Sequence, residues 1–201
     1  MTESLAIDTK QTAVLIMDYQ LATAAMVPEA ASLAERAASI LDAARGAALP
    51  VIHVLVEFRP GYPEINPRNV ALAERIQRSG RLLRGAPETQ EIPAVAAREG
   101  DIVVVKHRIG AFSGTELDAL LRSLRVETLV LFGIATSGVV LSTVRQAFDL
   151  DYRAIVVSDC CADPDAALHA TLLEKVIGRQ ARLTTMEDLL PQLRGARNHA
   201  T

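Results

Sequence analysis

A chain of 201 residues, half of them apolar, carries a net charge of −3, which fits one domain with a full hydrophobic core. That charge leaves no basic footprint for nucleic acid and no polybasic patch for a membrane surface. No apolar run approaches the ~20 residues of a membrane span.

Residues 1–10 form a polar leader without a charged segment followed by an apolar core, so no signal peptide is expected. Flexibility is expected there and in the tail, 195–201. Short β-rich apolar runs then alternate with helical patterns. This predicts an α/β chain, a Rossmann-like three-layer α/β/α arrangement with a mostly parallel sheet of about six strands. The strands read Ala13–Met17, Val51–Val56, Ile102–Lys106, Thr128–Phe132 and Ala154–Ser158, with a weaker edge strand near Ala181–Thr184. Helices are expected at Glu29–Arg45, Asn69–Ser79, Thr115–Leu124, Gly138–Leu150, Asp165–Gln180 and Met186–Leu193. Gly46 and Pro50 close the first long helix. Ser113–Glu116 and Thr184–Glu187 have the spacing of capping boxes. Asp163 before Pro164 reads as an N-cap acid with proline in the first turn. The proline-rich piece Phe58–Pro67 follows a strand and suits a pocket wall or a surface connector. Adjacent Cys160 and Cys161 are poorly placed to bridge each other and fit a reducing, cytoplasmic setting.

Three strand ends carry polar residues: Met17-Asp18-Tyr19-Gln20, Val105-Lys106-His107-Arg108, and Gly133 through Val139. In a doubly wound sheet such ends converge on one crevice. Asp18 and Lys106 meeting there would shift each other's pKa, a mark of functional sites. By spacing alone Asp18 could merely cap a turn, and Lys106 could be a solvated strand-end residue.

The run Gly133-Ile-Ala-Thr-Ser-Gly-Val-Val-Leu-Ser-Thr143 resembles the signature of the isochorismatase-like hydrolases, also called cysteine hydrolases. Asp18, Lys106, the stretch Ala147–Arg153 and the stretch Val156–Ala162 extend the resemblance from Thr12 through Asp163. It implies a hydrolase with Asp18 and Lys106 as catalytic residues. It also places Val139 where most of the family has its nucleophilic cysteine, and valine has no lone pair to attack with. A non-proline cis peptide before Ala135 is implied, with the backbone at Ile134, Ala135 and Val139 forming an oxyanion site. The expected substrate pocket draws on Gln20, Arg59, Tyr62, Phe112 and Ser137. A homo-oligomer, dimer or tetramer, is implied, with a small-molecule substrate and no cofactor.

Substitutes for the missing thiol are weak. Ser137 lies two residues early, where it suits a helix cap, and Ser142 lies about 300° around the helix from Val139. A serine nucleophile also needs an adjacent base. Cys160 and Cys161 end a strand further along and suit buried packing. No metal is expected: His53 stands alone in its strand as a core or sheet-face residue, so a zinc site cannot be assembled. The nucleophile-free members of this family cleave a vinyl ether with an aspartate acid. The leading expectation is therefore a metal-free hydrolase of a small anionic metabolite acting through Asp18/Lys106 acid–base chemistry. Two alternatives stand beside it: a catalytically degenerate binding or scaffold protein, and an amidase-type C–N hydrolase with an unrecognised nucleophile.

Overall fold

The computed structural model describes residues 7–195. Most of the leader and tail expected to be flexible therefore lies outside the described residues. Six parallel strands are β1 (Thr12–Met17), β2 (Val51–Val56), β3 (Ile102–Lys106), β4 (Thr128–Gly133), β5 (Arg153–Val157) and β6 (Arg182–Thr184). Their order in the sheet is β3-β2-β1-β4-β5-β6, and every pairing is parallel. All six residues of β1 are buried, as a central strand covered on both faces requires.

The helices are α1 (Leu21–Ala24), α2 (Ala30–Gly46), α3 (Val70–Leu72), α4 (Leu117–Ser123), α5 (Leu141–Asp149), α6 (Ala166–Lys175) and α7 (Met186–Gly195). The connections β1–α2–β2 and β4–α5–β5 step in opposite directions across the sheet. Right-handed crossovers then put α2 and α5 on opposite faces. β1 is flanked by β2 and β4, so the strand order reverses at its carboxyl end, and a crevice opens there.

Several local expectations are corrected by tertiary contacts. The helix expected at 69–79 is a short α3 continued by a π-helical turn at Ala73–Gln77, with the Asn69 side chain accepting from Leu72 N–H as its cap. The helix expected from Gly138 starts as a π-helical turn at Thr136–Val140 and becomes α-helical only at Leu141. The helix expected over 165–180 breaks at Lys175, and a 3-10 turn follows at Ile177–Arg179. Ser113 forms no capping box. Its hydroxyl accepts instead from Gln146 Nε2 at 2.5 Å. The second box is shifted by one residue: Thr185 Oγ1 accepts from Asp188 N–H (3.2 Å) and donates to Asp188 Oδ2 (2.9 Å). Asp165, not Asp163, caps α6, accepting from Ala167 N–H and Leu168 N–H. Asp163 is drawn to the end of β4 instead.

Candidate active site

Asp18 follows β1 in the left-handed backbone region, with φ of 55°. A short polar side chain tolerates that conformation better than most. Its N–H donates to Val54 O at 2.8 Å, which ties the residue to the neighbouring strand. Lys106 is the last residue of the edge strand β3, in register with Val56. Its long side chain reaches past the end of β2, and Nζ lies 2.9 Å from Asp18 Oδ2. Nζ also donates to Arg108 O at 3.0 Å. Lys106 is 2% exposed and Asp18 6%, so neither is a solvated strand-end residue.

The two Asp18 oxygens differ. Oδ2 holds the ammonium, while Oδ1 is buried with no hydrogen-bond partner among the described residues. Burial pushes the Asp18 carboxyl above its ordinary value and prevails over the opposing charge and hydrogen bond of Lys106. A buried carboxyl with a raised pKa and one unengaged oxygen is equipped to exchange a proton with a bound molecule.

Gly133 lets the end of β4 approach β1. A Cβ there would stand 2.7 Å from Met17 O and 3.1 Å from Val139 Cγ1. Beyond it the Ile134–Ala135 peptide is cis. The N–H groups of this loop are not equally open. Ile134 N–H donates to Met17 O (3.2 Å), Ser137 N–H to Asp163 Oδ2 (2.7 Å), and Gly138 N–H to Ala135 O (3.1 Å). The Ile134 amide is thus engaged within the sheet, which removes it from the expected oxyanion set. Ala135 and Val139 keep their place on the cleft wall. Thr136 anchors the loop from behind, with Oγ1 2.8 Å from His169 Nδ1 and 3.2 Å from Ala162 O.

These residues line one open cleft of about 1150 Å³. Asp18, Lys106, Ile134, Ala135, Ser137 and Val139 all border it. Four residues expected in the pocket are not among those that border this cleft. Gln20 is fully buried and clamps the end of β2, accepting from Val56 N–H and donating to Val56 O and Thr89 O. Arg59 is an outer residue paired with Glu64 at 2.8 Å, and it is Glu64 that reaches the cleft. Tyr62 donates its hydroxyl to Arg81 O at 2.9 Å. Phe112 stacks on Tyr152 at 5.8 Å. The proline-rich connector therefore contributes to the wall through Phe58 and Glu64.

Ser142 borders the cleft as well. Ser137 caps no helix, because it sits inside the π-helical turn. Cys160 and Cys161 are buried, and burial pushes both thiols up, Cys161 to about 12. Such thiols are poor nucleophiles. His53 does not stand alone: it is buried between Glu91 and Asp101 in the middle of the sheet. Among the described residues no cluster of three His, Cys, Asp or Glu has the geometry to hold a metal ion.

Sequence reasoning assigned no role to Glu64 or His107. His107 follows Lys106 and donates from Nδ1 to Glu57 O at 2.5 Å, since a carbonyl can only accept. Its Nε2 stands 3.9 Å from Glu64 Oε1. Burial alone would raise Glu64, but backbone N–H bonds and the charges of His107 and Arg59 outweigh it and hold the carboxyl below the usual range. The only sequence signal for these two residues was proximity to Lys106 and to a proline-stiffened loop.

A family model describing the isochorismatase domain matches residues 12–188. The chain is similar to the uncharacterized isochorismatase family protein YwoC of Bacillus subtilis, at 30% identity over 96% of this chain and 100% of that protein. It is 29% identical to the maleamate amidohydrolase of Pseudomonas putida, over 83% of this chain and 77% of that enzyme. An isochorismatase family protein from Burkholderia thailandensis has a similar solved structure. The TM-score is 0.78 at 28% identity, covering 94% of this chain and 97% of that one.

Proposed function

Given that the chain belongs to the isochorismatase family, a family of hydrolases, we propose that it hydrolyses a small anionic metabolite through Asp18 and Lys106, without a cysteine nucleophile and without a metal. One observation carries this reading: Asp18, whose buried carboxyl is raised by its burial and has one oxygen without a hydrogen-bond partner among the described residues, borders a cleft whose wall holds Val139. Asp18 in its protonated form donates to the leaving atom of the substrate as that bond breaks, and water supplies the hydroxyl. The Lys106 ammonium then stabilises the carboxylate left behind. Developing negative charge on the substrate faces the amides of Ala135 and Val139. Arg75, Arg81, Arg108 and Arg145 border the same cleft, and guanidinium groups suit planar anions. The relative that hydrolyses maleamate acts on a small anionic compound, in keeping with this reading.

The test is product release from isochorismate, small amides and carbamoyl compounds, with pyruvate and ammonia assayed in parallel and Asp18→Asn as the control. Release that vanishes in the variant supports the proposal. Release that survives in Asp18→Asn overturns it, and silence across the whole panel transfers the argument to a binding or scaffold role.

A further inference from the structure

The lining of the cleft falls into two chemically different parts, a polar room and an apolar room. One holds Asp18, Lys106 and the 133–139 loop. The other is floored by a second apolar cluster, separate from the main core, in which Ala22, Phe58, Tyr62, Ile65 and Leu82 are buried. Six members of that cluster or its fringe face the cleft: Ala22, Val56, Phe58, Leu72, Ile76 and Leu82. Val56, Leu72 and Ile76 are only partly buried. Their carbon atoms are therefore left facing solvent inside a concavity, where an apolar group would release ordered water.

The apolar room is built rather than improvised. Phe58 N–H donates to Leu82 O (2.8 Å), and Arg84 N–H donates to Phe58 O (2.9 Å), so two distant segments are paired across its floor. The Tyr62 hydroxyl fixes Arg81 O from beneath. The room is also joined to the polar one. The His107 ring packs against Phe58 with centroids 5.6 Å apart, and His107 follows Lys106 directly. The whole cleft, about 1150 Å³, exceeds the ~300–1,000 Å³ usual for small-ligand sites. A compact acid of a few carbons would leave most of it wet.

Resting on the hydrolase reading above, we propose that the substrate carries an apolar arm of several carbons. The arm lies on Phe58, Leu72, Ile76 and Leu82 while the reacting group sits at Asp18. Arg75 and Arg81 border the same cleft, are solvent-exposed and form no ion pair with a carboxylate among the described residues. The ligand class is thus amphipathic: an anionic head with a hydrocarbon or aryl arm.

The experiment is an NMR titration of the full chain with linear saturated monocarboxylates, from acetate to octanoate. Each methylene accepted by the room should tighten binding about fourfold, until the room is filled. Leu72→Asp and Ile76→Asp, tested separately so that either suffices if the other misfolds, should lose the chain-length trend. Val70→Asp, at a position 55% exposed and outside the room, should keep the trend. Affinity that does not grow with chain length overturns the proposal. So does a trend that persists in both Leu72→Asp and Ile76→Asp. A flat series in which Leu72→Asp also lowers the sedimentation mass would assign the room to a second copy of the chain, again overturning it. The hydrolase reading stands or falls separately, on turnover by the parent and Asp18→Asn.

Discussion

Two buried charge clusters sit on the same sheet and are built to opposite rules. In the middle of β2, His53 has both ring nitrogens against carboxylates, Glu91 Oε1 at 2.5 Å and Asp101 Oδ2 at 3.2 Å. Asp101 is gripped by Arg45 Nε and Nη2 and by Arg98 N–H. Glu91 Oε2 accepts from Ala97 N–H. Each carboxylate oxygen of this network has a partner, and the network ties α2 and β2 to the connection that leads into β3. At the strand ends, Asp18 and Lys106 form a shorter chain with one oxygen left over, beside a cleft. A satisfied polar network specifies and rigidifies a fold. A buried charge with a missing partner costs stability and is kept where something must bind. The pKa directions agree: Asp101 is lowered, because Arg45, Arg98 N–H and His53 outweigh its burial, while Asp18 is raised, because burial prevails.

The contrast breaks if substitutions in the two clusters have the same effect. Asp18→Asn should lower turnover by about 10²–10⁴, the usual worth of a positioned acid, with the fold retained by circular dichroism. His53→Ala should do the reverse. It leaves two part-buried carboxylates without their imidazole and should cost about 1–3 kcal/mol in urea unfolding, with turnover per folded molecule unchanged.

The pH dependences sharpen the comparison. Asp101 holds its proton less tightly folded than unfolded, so its stabilisation is complete above the ordinary aspartate range. It is lost as pH falls through its lowered folded value. Asp101→Asn should therefore flatten the loss of stability on the acid side. Asp18 holds its proton more tightly folded, so stability falls as pH rises from the ordinary aspartate value through its raised one. Asp18→Asn should remove that slope, and the parent's kcat/KM should decline over the same rise as the acid form is depleted. The smallest expected effect is a control remote from both clusters. Thr185→Ala removes the cap shared with Asp188 and should cost about 1 kcal/mol in thermal unfolding without altering either pH slope.

Much of this molecule is legible in order along the chain. β2 and β3 have the boundaries that their apolar runs suggest, and the other strands differ by a residue or so. Runs buried on both faces carry their own hydrophobic signal. The placement of Asp18, Lys106 and Val139 on one cleft was also legible, because strand ends of a parallel sheet share one edge. The caps were not. Ser113, Thr184 and Asp163 have the residue types of helix caps, but Gln146, the shift to Thr185, and Ser137 N–H compete for those positions. Spacing cannot rank such competitors, since each alternative is a hydrogen bond of similar worth.

The pocket walls were least legible. Gln20 is polar, two residues after Asp18 and at the right end of the sheet, yet its amide is consumed by Val56 and Thr89, residues 36 and 69 positions away. Arg59 and Tyr62 lie in the right loop but hand the cleft to Phe58 and Glu64. Sequence by itself determined the sheet and its layers, because periodic burial is a local property, and it singled out the charged pair only when strand-end position was joined to the family resemblance. Tertiary structure alone decided which oxygen of Asp18 is left unengaged, that burial prevails over Lys106, and that an apolar room adjoins the site. Those depend on what distant segments bring to the same few ångströms, and desolvation is a property of that whole neighbourhood rather than of any residue in it.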